Sequence, residues 1–175
     1  MADDTLRLHI GGRETKDGWK ILNVQPGQAV DYVGDCRDLS DFADASAAEI
    51  YVSHVLEHLG YLDELPETLA GFRRVLVAGG KLMISVPDFE VLCRLFLHPE
   101  LDVEQRFTIM RMAFGGQTDA FDYHKVGLTF EFLEDYLTVA GFRDIERVDG
   151  FGLFDDDSTL EIGGGAISLN VAAAK

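Results

Sequence analysis

The sequence is poor in cysteine and has no long apolar run. Its two cysteines, Cys36 and Cys93, lie far apart, and neither belongs to a Cys-x-x-Cys pair or to a cysteine and histidine ligand pattern. Such spacing indicates neither a disulfide framework nor a zinc finger. No stretch approaches the roughly 20 apolar residues of a membrane-spanning helix, and the acidic start at Asp3 and Asp4 is unlike a signal peptide. We therefore predict a cytoplasmic protein with reduced thiols and no membrane partner.

Basic residues are also scarce. Fifteen lysines and arginines stand against 31 aspartates and glutamates, which leaves a net charge of −16. A field of this sign repels the phosphate backbone of nucleic acids, and no cluster of basic residues counters it, so we predict no nucleic-acid partner. The hydrophobic fraction of 47% excludes disorder, and 175 residues can bury a sizeable core. We expect a single domain over residues 1–175.

Residues 49–88 have the pattern of a strand, a helix and a second strand. Apolar residues alternate at 50–52 and at 82–86, and they recur at helical spacing over 65–76. The glycine pair at 79–80 is expected to close the helix, because glycine adopts the left-handed C-terminal conformation without steric cost. Two parallel strands need such a crossover, so this segment predicts a βαβ unit of an open α/β sheet.

His54, Glu57 and His58 follow the first strand of this unit, at the edge where open α/β sheets bind ligands. Residues three and four apart share one side of a helical turn, so the cluster could bind a metal or act as acid and base. The letters also match the His-x-x-Glu-His zinc-peptidase signature. We reject that interpretation because His54 falls at a strand-to-turn junction, and we predict no metal site. A capping and packing role for Glu57 and His58 stays open beside a catalytic one.

Two amphipathic helices are predicted at 89–96 and 103–114, and a polar loop with two glycines follows at 115–125. Polar groups on loops are where binding concentrates. We expect Tyr123 and His124 to face the site, with His124 as the general base because the ordinary histidine pKa lies near neutrality. A structural role for His124, capping the next helix or packing beneath the loop, stays open.

The two ends of the chain are rich in short strand patterns. Strands are predicted at 6–10, 19–24 and 30–34, and a C-terminal antiparallel pair is predicted at 143–148 and 166–171. Only about eight residues separate the first two strands, too few for a full helix. The three aspartates at 155–157 lack the spacing of a calcium loop and are expected at a solvated loop tip.

The order of these motifs resembles the class I S-adenosylmethionine-dependent methyltransferase family. The resemblance implies a Rossmann-like, doubly wound, mostly parallel α/β sheet with an antiparallel C-terminal strand pair and a lid insertion at about 89–125. The segment 124–142 resembles the last helix of the family. The other matching residues are Asp44, Ser46, Leu56-Glu57-His58, Arg74-Val75-Leu76, Gly79-Gly80 and Pro87.

The resemblance implies S-adenosylmethionine as the cofactor. The family's glycine-rich loop is reduced to Gly11-Gly12, and Gln25 stands where the family usually has the acidic residue that binds the ribose. His54 is expected near the transferred methyl group. The adenine side is expected at Asp35, Asp38 and Leu39, although Asp35 could merely cap the following turn.

The function implied is methyl transfer to a small molecule or a glycan precursor. An acidic protein does little to attract a phosphorylated acceptor, which favours a neutral one. The alternative is a methyltransferase-like domain that has lost catalysis and serves in binding or assembly, because the glycine loop and the ribose position depart from the family pattern. A homodimer is a further expectation.

Overall fold

The computed structural model describes residues 5–162 and 165–175, and over these residues it contains one large sheet, a two-stranded sheet and four α-helices. The helices are α1 (Glu64–Val75), α2 (Phe89–Phe96), α3 (Val103–Phe114) and α4 (Phe130–Ala140). The strands are β1 (Leu6–Ile10), β2 (Lys20–Asn23), β3 (Tyr32–Val33), β4 (Ala47–Ser53), β5 (Leu76–Pro87), β6 (Arg143–Val148), β7 (Glu161–Ile162), β8 (Gly165–Ala166) and β9 (Ser168–Ala174).

The large sheet has the strand order β3-β2-β1-β4-β5-β9-β6. Strands β1 to β5 run parallel, whereas β9 runs antiparallel to both β5 and β6. The order reverses between β1 and β4, which is the switch point where open α/β sheets bind ligands. The predicted fold class, a Rossmann-like doubly wound sheet with an antiparallel C-terminal pair, is confirmed.

One face of the sheet packs on α1 and α4. Asp63 caps the start of helix α1, its carboxylate accepting from the Glu64 N–H, and the helix buries the apolar stripe formed by Leu65, Leu69 and Phe72. Leu133 and Leu137 of α4 are fully buried in the same core. The helical face predicted from the apolar spacing of residues 65–76 therefore lies in the main core, together with buried residues of α4.

The prediction that Gly79 and Gly80 close the helix is wrong. Helix α1 ends at Val75, and the chain enters β5 directly. Lys175 Nζ donates to the Leu76 carbonyl at 2.6 Å and so binds the chain at this helix end. The glycines lie in a bulge of β5 instead, where Gly79 has φ +75° and a Cβ on Gly80 would lie 2.9 Å from the Val77 carbonyl.

The opposite face of the sheet is covered by aromatic side chains. Trp19, Tyr51 and Met83 are buried there, packed against residues of the 151–154 segment. The Tyr51 hydroxyl donates to Asp156 Oδ2 at 2.7 Å and fastens this cover. Within the described residues, no helix lies between β1 and β2, as the short spacing predicts.

His9 of β1 belongs to this aromatic face and is 4% exposed. Its ring lies 4.0 Å from the ring of Phe154, centroid to centroid. Burial lowers the pKa of His9 to about 4, against the opposing charges of Asp156 and Glu14. The neutral imidazole is therefore the form that the fold accommodates.

Helices α2 and α3 pack on each other beyond the carboxyl end of β5, within the region predicted as a lid. Asp88 caps α2, accepting from the N–H groups of Glu90 and Val91, and it also pairs with Arg147 of β6. Across the described part of the chain, no helix is long and apolar enough to cross a membrane.

The burial of neutral His9 predicts a loss of stability in mild acid. In the unfolded chain His9 has its ordinary pKa of 6.5, whereas in the folded chain its pKa is about 4. Between these two pH values the unfolded chain binds a proton at His9 and the folded chain does not, so the free energy of unfolding falls as pH drops from 6.5 to about 4. The loss attributable to this group is on the order of 3 kcal/mol. His9→Phe keeps a ring against Phe154, and denaturant titrations at several pH values are expected to show a flatter dependence. His98→Gln, at an exposed position, is the control, and an unchanged pH dependence in His9→Phe would contradict the assignment.

Candidate active site

Two cavities meet at the carboxyl ends of the parallel strands. Cavity A, of about 600 Å³, lies beyond β1, β2, β3 and β4 and is covered by the 118–125 loop. Cavity B, of about 830 Å³, lies between β4, helix α3 and the 154–157 segment. The two cavities share lining residues, and these form their common wall: Gly11, Arg13, His54, His58 and Asp122.

Most of the residues predicted for the site line one of these cavities. Gln25, Asp35 and Tyr123 line cavity A, Gly12 and His124 line cavity B, and Gly11 and His54 line both. Asp38 and Leu39 lie outside the described walls of both cavities. Leu39 is instead a core residue, 4% exposed, and Asp38 accepts from the Ser40 N–H in a turn. Cys36 and Arg37 line cavity A beside Asp35.

The loop after β1 leaves no room for a side chain at Gly11. Gly11 has φ +78°, and a Cβ there would lie 2.4 Å from Val55 Cγ2, so this position requires glycine. The amide of Asn23 donates to the carbonyls of Gly11 and Gly12 at 3.0 and 3.1 Å, and Asn23 Oδ1 accepts from the Gln25 N–H. Asn23 therefore fixes both the loop and the backbone at Gln25. The sequence analysis missed it because a single asparagine at a strand end has no distinguishing pattern.

Two arginines donate hydrogen bonds to the polar side chains Gln25 and Asp35 of cavity A. Arg13 donates to Gln25 Oε1 at 3.0 Å, and Arg37 donates to Asp35 from Nε at 2.9 Å. The hydrogen bond from Arg37 lowers the pKa of Asp35 and keeps this carboxylate ionised, although partial burial opposes the effect.

Glu64 connects the two sides of cavity A. Its carboxylate accepts from Lys125 Nζ at 2.8 Å and from the Gly60 N–H at 2.6 Å, and it also pairs with Arg37. The hydrogen bonds from Lys125 and Gly60 are the main causes that lower the pKa of Glu64 to about 2. The loop that carries Arg37 and the loop that covers the cavity are thus joined through one carboxylate.

The turn after β4 places His54 at a strand-to-turn junction, as the sequence predicts. His54 has φ +51°, and only a single turn of 3₁₀-helix, Leu56–His58, follows it. His54 Nδ1 lies 3.3 Å from Glu57 Oε1, and Nε2 lies 3.3 Å from Ser168 Oγ. Glu57 is 2% exposed. Burial acts to raise its pKa, but the interaction with His54 and the charges of His58 and His124 outweigh burial, so the pKa of Glu57 is lowered.

The structure brings His124 to the same cluster from the other side of the site. The rings of His58 and His124 are perpendicular, with centroids 4.7 Å apart. Burial lowers the pKa of His124, partly offset by the charge of Glu57. One donor atom each from Glu57, His58 and His124 lies within 4.8 Å of the others. The neighbouring Tyr123 is 49% exposed and lines cavity A.

The three aspartates expected at a solvated loop tip line cavity B instead. Asp156 accepts from the Tyr51 hydroxyl and from the Ser158 N–H, and the Asp155 N–H donates to Glu14 Oε2 at 3.0 Å. This acidic wall has no local sequence signal, since it depends on contacts with β4 and with the loop after β1.

Comparisons with known proteins agree with this arrangement. A family model described as a methyltransferase domain matches residues 15–84, which include Gln25, Asp35, His54 and the Leu56–His58 turn. No curated protein matches the chain by sequence.

Three solved structures illustrate the likeness in fold. A SAM-dependent methyltransferase from Archaeoglobus fulgidus has a TM-score of 0.63 and 16% identity, over 98% of this chain and 86% of that one. A possible histamine N-methyltransferase from Thermotoga maritima has a TM-score of 0.54 and 16% identity, over 97% and 81%. The 1,6-didemethyltoxoflavin-N1-methyltransferase of Burkholderia thailandensis, solved with bound 1,6-didemethyltoxoflavin and S-adenosylhomocysteine, has a TM-score of 0.60 and 15% identity, over 97% of this chain and 70% of that one.

The strand order and these neighbours define a Rossmann-like methyltransferase fold. The match to the methyltransferase domain model covers residues 15–84, the part of the chain that runs from the loop after β1 into β5.

The Asn23 contacts predict a sensitive position. In Asn23→Asp a carboxylate of the same shape replaces the amide, cannot donate to the two loop carbonyls and brings a negative charge to a buried site. The free energy of unfolding is expected to fall by about 1–3 kcal/mol, the cost of unsatisfied buried groups, in urea titrations near neutral pH. Gln28→Glu, an exposed amide-to-acid change outside both cavities, is the matched control. Equal stability of Asn23→Asp and the control would show that these hydrogen bonds do not hold the loop.

Proposed function

We propose that this protein methylates a small molecule, with S-adenosylmethionine in cavity A and the acceptor in cavity B. The observation that carries the proposal is the common wall of the two cavities, which lies at the switch point of a methyltransferase-type sheet. A donor and an acceptor on either side of this wall would have their reacting atoms beside His54 and His58. Proximity and orientation are the first requirements of a group transfer.

Cavity A fits the cofactor in size and in polar groups. Its volume is within the range of small-molecule sites. Gln25 offers an acceptor to the ribose hydroxyls, and Asp35 offers one to the adenine amino group. No helix follows the glycine loop within the described residues, so the positive end of a helix dipole is missing there. Arg13 lines the cavity beside this loop and would bind the methionine carboxylate in its place.

When bound, S-adenosylmethionine supplies an electrophilic methyl group on a sulfonium sulfur. The chain's own residues would orient the accepting atom and exclude water. His54 lines both cavities and His124 lines cavity B, so we assign both to the accepting atom, with His124 able to take its proton. Tyr123 is assigned a place over cavity A, on the side of the cofactor.

The charges of cavity B restrict the acceptor. Acidic side chains outnumber basic ones in its walls, so a phosphate or carboxylate on the acceptor would be repelled. A neutral or cationic small molecule, or an uncharged glycan precursor, fits better. The acidic side chains are Glu14, Glu57, Asp122, Asp155, Asp156 and Asp157, and the basic ones are Arg13 and Arg111.

A methyltransferase-like domain without catalysis is the second candidate. Gln25 and Asp35 already have arginine partners, and a bound nucleoside would have to compete with Arg13 and Arg37 for them. This competition lowers the affinity for the cofactor. A cofactor affinity in the millimolar range would favour the domain without catalysis over the enzyme.

Titration calorimetry with S-adenosylhomocysteine tests the proposal. Micromolar affinity is expected for the unaltered chain, and Gly11→Val is expected to abolish binding because the new side chain would collide with Val55. Gly152→Val is the matched control, since Gly152 also has a positive φ of +60° but lies outside the described walls of both cavities. Undetectable binding to the unaltered chain would favour the inactive domain, and normal binding by folded Gly11→Val would exclude cavity A as the cofactor site.

The ribose assignment has its own prediction. Gln25→Glu is expected to tighten S-adenosylhomocysteine binding, because a carboxylate accepts stronger hydrogen bonds from the ribose hydroxyls than an amide does. Gln28→Glu adds the same charge outside cavity A and is expected to leave the affinity unchanged. If Gln25→Glu binds no more tightly than this control, Gln25 is not the ribose contact.

A further inference from the structure

We propose that Glu57, His58 and His124 bind a divalent transition-metal cation at the edge of cavity B. One carboxylate oxygen and two imidazole nitrogens lie within 4.8 Å of one another. Two histidines and a carboxylate form a ligand set that suits zinc and its neighbours, and three protein ligands leave a position open for another molecule. Ligands about 2.1 Å from one ion lie within about 4 Å of each other, so small side-chain rotations would complete the site.

Glu57 provides an independent reason to place a cation here. Its side chain is almost fully buried, yet neither carboxylate oxygen has a hydrogen-bond partner among the residues that the structure describes. An ionised carboxylate in such a place destabilises a fold unless a positive charge or donors balance it. His54 approaches one oxygen to 3.3 Å, as an outer contact of a ligating carboxylate would. His54 is the ion-pair partner that the described residues give this buried carboxylate, and neither oxygen accepts a hydrogen bond there, so a cation between Glu57, His58 and His124 supplies a further positive partner.

The hydrogen bond of His58 fits a ligand role. Its Nδ1 lies 3.2 Å from the carbonyl oxygen of Tyr123. A carbonyl can only accept, so this contact assigns the proton to Nδ1 and leaves the lone pair on Nε2. Metal-binding histidines commonly donate their other ring N–H to a backbone carbonyl in this way.

The backbone holds the ligands together before any ion binds. The Glu57 carbonyl accepts from the N–H groups of Lys125 at 2.7 Å and Val126 at 3.3 Å. The His124 N–H donates to the Phe114 carbonyl at 3.2 Å, at the end of α3. His124 is therefore fixed against the Glu57 turn although it lies 66 positions after His58 in the sequence. This preorganisation lowers the entropy lost when the site closes around a cation.

In the reaction, the open position would hold an acceptor hydroxyl facing cavity B; this role rests on the proposed function, whereas cation binding does not. Coordination lowers the pKa of the hydroxyl, whose proton leaves to solvent. The oxygen then forms the new bond to the methyl carbon while the bond from that carbon to sulfur breaks, and neutral S-adenosylhomocysteine leaves. His124 would then be a ligand, and no separate base would be needed.

Titration calorimetry of the untagged, chelator-treated chain with zinc chloride tests the site. One zinc ion per chain is expected, and magnesium chloride is expected to bind more weakly because magnesium prefers oxygen ligands. His58→Gln, His124→Gln and Glu57→Gln are each expected to weaken zinc binding by at least about 10-fold, whereas His98→Gln, an exposed histidine far along the chain, is not. Zinc is expected to raise the melting temperature of the unaltered chain but not that of Glu57→Gln.

Three results would overturn the proposal: no saturable zinc binding, equal losses in His98→Gln and the ligand variants, or magnesium binding as tight as that of zinc. Glu57→Gln removes a buried charge, so it is expected to stay folded without metal, which separates lost ligation from lost folding.

S-adenosylhomocysteine titrations in the presence of chelator keep the two proposals distinct. Zinc binding without nucleoside binding would leave the cation site standing alone, and the converse would retain only the proposed methyltransferase.

Discussion

The Glu57 carbonyl makes the contact on which the site depends. It accepts two backbone hydrogen bonds from the 125–126 segment, and so it joins the carboxyl end of β4 to the loop that covers cavity A and contributes Asp122 and His124 to cavity B. Glu64 strengthens the same junction through its ion pair with Lys125. Without this connection His124 would have no fixed position relative to His58. The parallel sheet supplies the floor of the site, but this junction decides which side chains face each other above it.

A second constraint follows from the short connection between β1 and β2. No helix covers this part of the sheet in the described chain, so apolar residues of its outer face need another partner. The 151–154 segment supplies it, and the Tyr51 hydroxyl anchors the segment through Asp156. The same contact places an acidic wall on cavity B. The missing helix therefore affects the site twice, because it leaves the glycine loop without a positive dipole end and places negative charge along cavity B.

Local patterns were sufficient for most of the fold. Strands β1 and β6 and helices α2 and α3 were predicted at their observed bounds, because each depends on an apolar period within one segment. The predicted end of α1 was wrong because Gly79 and Gly80 serve a β-bulge, which is defined by pairing with β4. Leu39 illustrates the limit for the site. Its place in the core depends on packing and on a hydrogen bond from Arg74 to its carbonyl, contacts over 35 residues that no local period encodes.

The His-x-x-Glu-His letters show how one motif can belong to two different geometries. On a continuous helix the two histidines and the glutamate would share a face, but the left-handed His54 separates the first histidine from the turn that carries Glu57 and His58. His54 contacts the Glu57 carboxylate but is not part of the cluster formed by Glu57, His58 and His124. The second imidazole of that cluster therefore comes from His124. The donor set therefore exists only when the covering loop is packed on β4. A ligand held by this set would stabilise the closed arrangement, since binding to one conformation shifts the population toward it.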